Sequence, residues 1–235
     1  MNSVSFTGKN YHSLAKMKNG KIVTKTWPKK RLKKLSRNLN KLPFLRSFLF
    51  ILELVLDYWK TLFLLAIFFY LTLYFMEKNE YASFFISYEL HPFMSFVLIL
   101  FIFGIIIKVS PLGKYHAAEH MVLNAYEHTR DLSLETIKRQ PRTHKRCGTN
   151  FVTTFSLCYG ILSLFFREAQ ELLTILSWCM AYELWRKKPK YIWPLIWKIS
   201  KNAQYYLFTS RPEDRHIEVA VAAFSELKHA EFIRN

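Results

Sequence analysis

Two histidines and a glutamate near the middle of the chain have the spacing of a metal site. His116, Glu119 and His120 form an H-x-x-E-H sequence. On a helix, at about 100° per residue, the histidines lie ~40° apart and Glu119 lies ~60° to the other side of His116. Imidazoles at positions i and i+4 can reach one ion, and in this order of residues the glutamate is the general base. The pattern predicts a divalent metal, with zinc favoured, held by His116 and His120, and Glu119 as the catalytic residue.

The residues around this motif predict the helix that carries it. Ser110 and Pro111 have the types that begin a helix, with serine at the N-cap and proline at the first helical position. The helix is predicted over residues 113–128. Glu127 shares the face of His120 but lies about 10 Å further along the axis, at ~1.5 Å per residue. We therefore expect Glu127 to support the ligands or a second metal rather than to share the ion.

Further ligands have to come from outside this helix. His144 and Cys147, spaced H-x-x-C, are the nearest candidates along the sequence. A different interpretation needs no metal, because five residues are a short motif and such matches arise by chance. Under it the two histidines and Glu119 form a polar, hydrogen-bonded helix face. The sequence leaves both interpretations open.

Composition indicates the kind of protein in which this motif lies. The 235 residues include 34 Lys and Arg against 17 Asp and Glu, yet 51% are hydrophobic and only 3 are cysteine. Such apolar content excludes a disordered basic protein, and the few cysteines exclude a disulfide scaffold. The basic and apolar residues occupy separate blocks, which argues against a soluble nucleic-acid binder. This separation is typical of a membrane protein with basic flanks, so we expect membrane lipids, and no specific nucleic acid, as partners.

The apolar blocks predict an all-α polytopic membrane protein with about four transmembrane helices. Three uncharged segments approach the ~20 residues that a spanning helix needs, and the fourth is only 11 residues long. Residues 44–59 and 191–199 predict interfacial helices, and Asn19-Gly20 predicts a small N-terminal β-hairpin. The four predicted spans are residues 61–76, 90–107, 147–166 and 172–182.

The distribution of basic residues predicts the orientation of these spans. Residues 1–46 hold 13 Lys and Arg, residues 108–146 hold 8, and residues 186–235 hold 10. Because basic segments stay in the cytoplasm, both termini and the H-x-x-E-H helix are predicted to be cytosolic. The expected segments follow in chain order. They are a basic N-terminal part (1–42), an interfacial helix with two spans (43–110), a cytosolic helix and loop (111–146), two further spans (147–185) and a cytosolic tail (186–235).

The central motif also resembles a known family, the YqhQ-like proteins. Their pattern K-Y-H-G-A-E-H, followed by N-A-Y-E, is similar to residues 114–127 here, with Ala117 in place of the glycine. A second family stretch, ending H-P-R-C-G-T-S-F, is similar to residues 142–151. A Tyr-Glu pair matches residues 182–183, and a tail containing I-E-V-A is similar to residues 209–224. The resemblance covers nearly the whole chain.

The resemblance implies an uncharacterised bacterial membrane protein, described in the family as a metal-dependent enzyme, in the cytoplasmic membrane. It also implies two further candidate ligands, Glu218 in the tail and Glu183 at the end of the fourth predicted span. On this basis Glu218 and His144 rank above Cys147 and Glu183 as ligands. The expected function is that of a metal-dependent hydrolase of unknown substrate. The alternative is a non-catalytic membrane scaffold or partner-binding protein with a structural metal or a polar network.

Overall fold

The computed structural model describes residues 3–29, 41–77, 91–166 and 169–233. Most of these residues are helical, and a small antiparallel sheet precedes the helices. The chain divides into two compact units. The first contains Met1–Lys29, Ile99–Leu157 and Leu184–Asn235, and the second contains Lys30–Leu98 and Cys158–Glu183. Most of the hydrophilic block predicted to lie outside the membrane, residues 77–89, falls outside the described residues.

The N-terminal sheet contains strands β1 (Ser3–Thr7), β2 (Tyr11–Lys18) and β3 (Lys21–Pro28) in the order β1-β2-β3. Asn19 and Gly20 form the two-residue turn between β2 and β3, with φ of 50° and 74°. Both residue types tolerate positive φ, which is why this pair specifies a tight hairpin. The predicted hairpin is confirmed, and β1 extends it by a strand that the sequence did not predict.

The helices begin and end close to the predicted segments. The predicted interfacial helix 44–59 and the first predicted span are, however, one continuous helix, because neither glycine nor proline interrupts them. In chain order the helices are α1 (Leu45–Glu77), α2 (Pro92–Val109), α3 (Pro111–His128), α4 (Leu134–Lys138), α5 (Thr149–Phe165), α6 (Gln170–Lys187), α7 (Trp193–Ala203) and α8 (Asp214–Ile233), with a π-helical turn over Gln204–Phe208.

The core of the first unit lies between α3, α8 and the sheet. Phe6 of β1 and Phe224 of α8 pack edge to face, with ring centroids 5.3 Å apart. Ser13 of β2 donates a hydrogen bond to the Ala223 carbonyl at 2.7 Å. Tyr126 of α3 packs on the same Phe224 ring, with centroids 4.9 Å apart, so one face of α3 lies against α8 and the rotation of α3 about its axis is fixed. The buried residues of this core are Val4, Phe6, Ala15, Tyr115, Ala118, Met121, Val122, Ala125, Ile137, Ile217, Val219, Ala220, Ala223, Phe224 and Leu227.

A sharp bend separates α2 from α3. The two axes, taken over Phe93–Val109 and Pro111–His128, meet at 83°. Ser110 lies at the N-cap of α3 as predicted, but its hydroxyl donates to the Ile107 carbonyl at 2.8 Å instead of capping the helix. A Cβ at Gly113 would lie 2.8 Å from that same carbonyl oxygen. Glycine therefore permits the close backbone approach that aims α3 at this angle.

A helix that spans a bilayer has to be both long and apolar. No single helix within the described residues is both long and apolar enough to span a bilayer. The bent pair of α2 and α3 is long and apolar enough only when the two helices are taken together. Helix α5, Thr149–Phe165, is apolar but shorter. The four predicted spans stay a prediction.

Replacement of Gly113 by alanine should destabilise the first unit. The added Cβ meets backbone atoms of residues 107 and 108, at 2.8 Å and 3.2 Å, and backbone cannot rotate away as a side chain can. Overpacking of this kind costs about 1–3 kcal/mol, which should lower the melting temperature of the purified protein by several degrees. Gly148→Ala is the control, because a Cβ there meets no atom within 4 Å. Equal melting temperatures for the two variants would contradict the proposed backbone constraint.

Candidate metal centre

Three metal-ligating side chains converge in the first unit. The ligand atoms of His116, His120 and Cys147 all lie within 4.8 Å of one another. Cys147 Sγ lies 3.3 Å from His116 Nε2, and the two imidazole centroids are 4.3 Å apart. The two histidines come from successive turns of α3, as their i, i+4 spacing predicts. Cys147 comes from the loop before α5, so distant parts of the chain form the cluster.

Hydrogen bonds to backbone carbonyls fix which imidazole nitrogens face the cluster. His116 Nδ1 bonds to the Phe208 carbonyl at 3.1 Å, and His120 Nδ1 bonds to the Arg142 carbonyl at 2.7 Å. A carbonyl oxygen only accepts, so each Nδ1 carries a proton and donates it. In the neutral ring the lone pair is then on Nε2. This is the orienting contact that metal-binding histidines commonly make.

The two accepting carbonyls occupy unusual backbone. Phe208 ends the π-helical turn that follows α7, and such turns leave carbonyls without their ordinary helical partners. Arg142 lies in a loop that Asn124 of α3 holds through two donations, to the Pro141 carbonyl at 2.9 Å and the Thr143 carbonyl at 3.0 Å. Sequence reasoning missed both positions, because every residue type offers a backbone carbonyl.

Hydrogen bonds at the beginning of α5 hold the sulfur of Cys147. Its Sγ accepts from the Thr149 backbone N–H at 3.4 Å and lies 3.2 Å from the Thr149 hydroxyl, at the beginning of α5. The side chain is buried. These contacts hold the sulfur at the beginning of α5, within reach of His116.

A buried polar network holds the loop that carries Cys147. The Gln204 side chain accepts from the His144 backbone N–H at 2.8 Å and donates to Asn150 Oδ1 at 3.3 Å. Asn150 donates to the Lys145 carbonyl at 3.0 Å and accepts from the Ser200 hydroxyl at 2.6 Å. Gln204, Asn150 and Ser200 are fully buried. A glutamine, an asparagine and a serine in apolar or amphipathic segments were the available signal for this network.

Glu119 lies three residues after His116, so the two side chains are neighbours on α3. Burial raises the pKa of Glu119 to about 7, and the charge of His116 opposes part of that rise. Within the described residues no hydrogen bond to its carboxylate is found. A carboxyl group with a pKa near neutrality is suited to accept and release a proton at physiological pH.

His144 and Glu127 contact each other instead of joining the cluster. His144 Nδ1 accepts from the Arg146 backbone N–H at 3.2 Å, so the proton of the neutral ring lies on Nε2. That nitrogen faces Glu127 Oε2 at 3.5 Å, and Arg146 binds the other carboxylate oxygen at 3.3 Å. Burial lowers the pKa of His144, and the Glu127 carboxylate opposes this shift. Neither nitrogen of His144 therefore offers a free lone pair to the cluster.

The two acids implied by the family resemblance lie elsewhere. Glu218 is exposed on α8, and the group of converging ligand atoms among the described residues does not include it. Glu183 lies in the second unit, where its carboxylate forms a bidentate pair with the Arg46 guanidinium. It also accepts from the Phe44 backbone N–H at 3.2 Å.

The donor set fits a zinc-like ion. Two imidazole nitrogens and a thiolate are ligands that Zn²⁺ takes and that Mg²⁺ and Ca²⁺ avoid. A tetrahedral zinc separates its nitrogen and sulfur ligands by ~3.5 Å, and the 3.3 Å between Cys147 Sγ and His116 Nε2 is close to this. His116, His120 and Cys147 would hold the ion, and a fourth position would stay open.

Comparison with known proteins confirms the family resemblance. The family model described as protein of unknown function (DUF1385) matches residues 45–230. The uncharacterised protein YqhQ of Bacillus subtilis (strain 168) is 27% identical over 147 residues, which is 53% of this chain and 44% of that protein. The match thus covers less than half the length of this curated relative. No solved structure matches.

Loss of any one of the three converging ligands should reduce metal content. We expect His116→Ala and His120→Ala to abolish stoichiometric zinc, and Cys147→Ala to weaken its binding by at least ~10-fold. His128→Ala is the control, because this residue lies on the same helix but bonds to the Asn124 carbonyl. His144→Gln should keep its metal. Mass-spectrometric metal analysis of the purified proteins measures the outcome, and full metal in the double variant of His116 and His120 would disprove the site.

Proposed function

We propose that this chain, which belongs to the DUF1385 family of proteins of unknown function, is a membrane protein with a metal-dependent hydrolase site. One observation carries the proposal. One ligand atom each of His116, His120 and Cys147 converge within 4.8 Å, while both Nδ1 atoms are bound to backbone carbonyls and so leave Nε2 as the free nitrogen of each ring. Polar side chains on a solvated helix face have no need of this tautomer control, whereas a metal site requires it.

The number of ligands favours a catalytic over a structural metal. Structural zinc sites have four protein ligands, and catalytic sites have three with an open position. Among the described residues the converging group has three members. His144, an additional imidazole near His120, is not in that group: its Nδ1 accepts from the Arg146 backbone N–H, and its Nε2 faces Glu127 at 3.5 Å. A site of this composition leaves room for a substrate group or a water molecule.

Glu119 gives the site its general base. A bound divalent ion would supply Lewis-acid polarisation of a scissile carbonyl or phosphoryl group. The Glu119 carboxylate would accept the proton of the attacking water and return it to the leaving group. Its position next to His116 and its half-buried surroundings suit this role. Bound to carbonyls through Nδ1, His116 and His120 keep their orientation as the reaction proceeds.

Exposed apolar surface supports the membrane part of the proposal. On α1, Phe63 and Leu64 are 61% and 66% exposed, and on α2, Ile99 and Ile106 are 65% and 55% exposed. Large apolar surface of this kind marks a site of membrane or protein contact. The proposed location is the bacterial cytoplasmic membrane, with lipids as partners, both termini in the cytosol and the zinc site facing the cytosol.

The alternative function is a non-catalytic scaffold in which the same cluster is a polar network. The contact between Cys147 Sγ and His116 Nε2 favours it, because a thiol can donate to that lone pair without any metal. The buried bonds among Gln204, Asn150 and Ser200 would then serve to close the loops of the first unit. In a partner-binding protein, these closed loops would form a rigid surface that a partner contacts, and no metal would be needed.

Reporter fusions test the membrane topology. A reporter after residue 130 or residue 225 should signal cytosol, and one after residue 83 should signal the outside, because the basic blocks stay in the cytoplasm. Equal reporter expression, verified by immunoblot, is the control. An outside signal at residue 225 would mean that the fourth predicted span does not cross the membrane. Cytosolic signals at all three positions would contradict the polytopic membrane proposal.

Glu119→Gln separates the hydrolase from the scaffold. The amide keeps the size and shape of the side chain but cannot take a proton from water, so function should fall by ~10²–10⁴ while metal content stays the same. His116→Ala should lose metal and function together. The measurement is complementation of a deletion strain by variants expressed at equal levels, beside metal analysis of the purified proteins.

Glu127→Gln is the matched control, since this acid on the same helix pairs with Arg146 and His144. It should complement fully. Full complementation by Glu119→Gln as well would overturn the hydrolase proposal and leave the scaffold. Loss of metal in Glu119→Gln would make that residue a ligand instead of a base.

A further inference from the structure

A cavity of about 570 Å³ lies in the first unit, apart from the three converging ligands. Loops and helices that are distant in sequence line this open cavity, and its volume is within the range of small-molecule sites. Met121, Pro141, Pro212 and Ile217 give it apolar walls. Its polar lining is Lys138, Gln140, Arg142, Tyr205, Arg211 and Asp214.

The charge of this cavity is positive and only partly compensated. Lys138 Nζ binds the Asp214 carboxylate at 2.7 Å and 2.8 Å, so these two charges satisfy each other. The guanidinium groups of Arg142 and Arg211 remain. Within the part of the chain that the structure describes, neither pairs with a carboxylate. Two unpaired guanidinium groups facing one concave space attract an anion.

Arg142 is held in a geometry that suits anion binding. Its guanidinium carbon lies 4.4 Å from the centre of the Tyr205 ring, so the planar group stacks on the aromatic face. Stacking occupies the face of the guanidinium and leaves its N–H donors at the edge. The backbone of Arg142 is fixed as well, because its carbonyl accepts from His120 Nδ1. A pre-oriented fork loses less entropy when it binds an oxyanion.

We propose that this cavity is a binding site for a phosphate ester, with Arg142 and Arg211 as the groups that recognise the phosphate. Guanidinium groups match phosphate oxygens in paired, charge-assisted hydrogen bonds. The phosphate would sit between the two arginines, which belong to separate segments of the chain. The apolar walls and Tyr205 would contact the organic part of the ester. This site is additional to the proposed zinc site and does not depend on a metal.

Two sources could supply such a ligand, a soluble phosphorylated metabolite or the headgroup of an anionic phospholipid. Both present the same chemistry to Arg142 and Arg211. The test therefore uses glycerol 3-phosphate as the soluble probe, with glycerol as its uncharged counterpart. Phosphatidylcholine with and without phosphatidylglycerol, added to the detergent solution, are the lipid probes.

Calorimetric titration of the full chain in a zwitterionic detergent measures the soluble probe. Glycerol 3-phosphate should bind saturably and glycerol should not. Arg142→Gln and Arg211→Gln should each weaken binding by ~10-fold or more, as the loss of a charge-assisted hydrogen bond does. The double variant should abolish it. Arg139→Gln combined with Arg215→Gln is the matched control, because it removes the same charge from two exposed residues that do not line the cavity.

The outcomes separate this site from the zinc site. Because Arg142→Gln keeps the backbone carbonyl that orients His120, its metal content should equal that of the unaltered protein. Displacement of glycerol 3-phosphate by phosphatidylglycerol but not by phosphatidylcholine would identify a lipid headgroup, and binding of the soluble ester that neither lipid weakens would identify a metabolite. Equal weakening by the control, or no saturable binding of either probe, would overturn the proposal whether or not zinc is found.

Discussion

Two hydrogen bonds to backbone carbonyls determine what the histidine pair of this protein can do. With each Nδ1 donating to a carbonyl, the free lone pair of His116 and of His120 is on Nε2, and the ligand atoms of the two residues converge with Cys147. Without these bonds either ring could rotate or change tautomer, and an i, i+4 pair would be an ordinary polar helix face. The π-helical turn, the Asn124 contacts and the Gln204 network all serve to hold the accepting carbonyls and the thiol in place.

The same arrangement depends on the opposite face of α3. Ala118, Val122 and Ala125 are fully buried against the core of the first unit, so the helix cannot rotate about its axis. Small residues let α3 approach α8 closely, and Gly113 lets its beginning approach the end of α2. A precise ligand geometry needs a rigid support of this kind, because small shifts of a ligand weaken both metal binding and catalysis. Core packing and site chemistry therefore constrain opposite sides of one helix.

Local signals predicted much of this fold, and long-range contacts account for what they missed. Asn19-Gly20 specifies its own turn, and the i, i+4 histidines share a face of any helix they occupy. Similarity to a family pattern ranks the candidate ligands outside α3. Such a pattern carries no information on how each helix is rotated about its axis. The structure brings Cys147 to the histidines, whereas His144 is turned away by the Arg146 amide and Glu127. The exposure of Glu218 could have been predicted from the sequence, because Ile217, Ala220, Phe224 and Leu227 form the apolar stripe of α8 and Glu218 lies off it.

The position of Glu119 is the strongest argument that the site does chemistry. A half-buried carboxyl group without a hydrogen-bond donor among the described residues opposes folding, since its charge is poorly solvated. Such a residue is unfavourable for a scaffold, where glutamine or an apolar residue would serve better. Its charge interacts with the oriented imidazole of His116, which is an arrangement suited to proton transfer. The cost in stability and the suitability for proton transfer have the same physical origin, the removal of water from around one carboxylate.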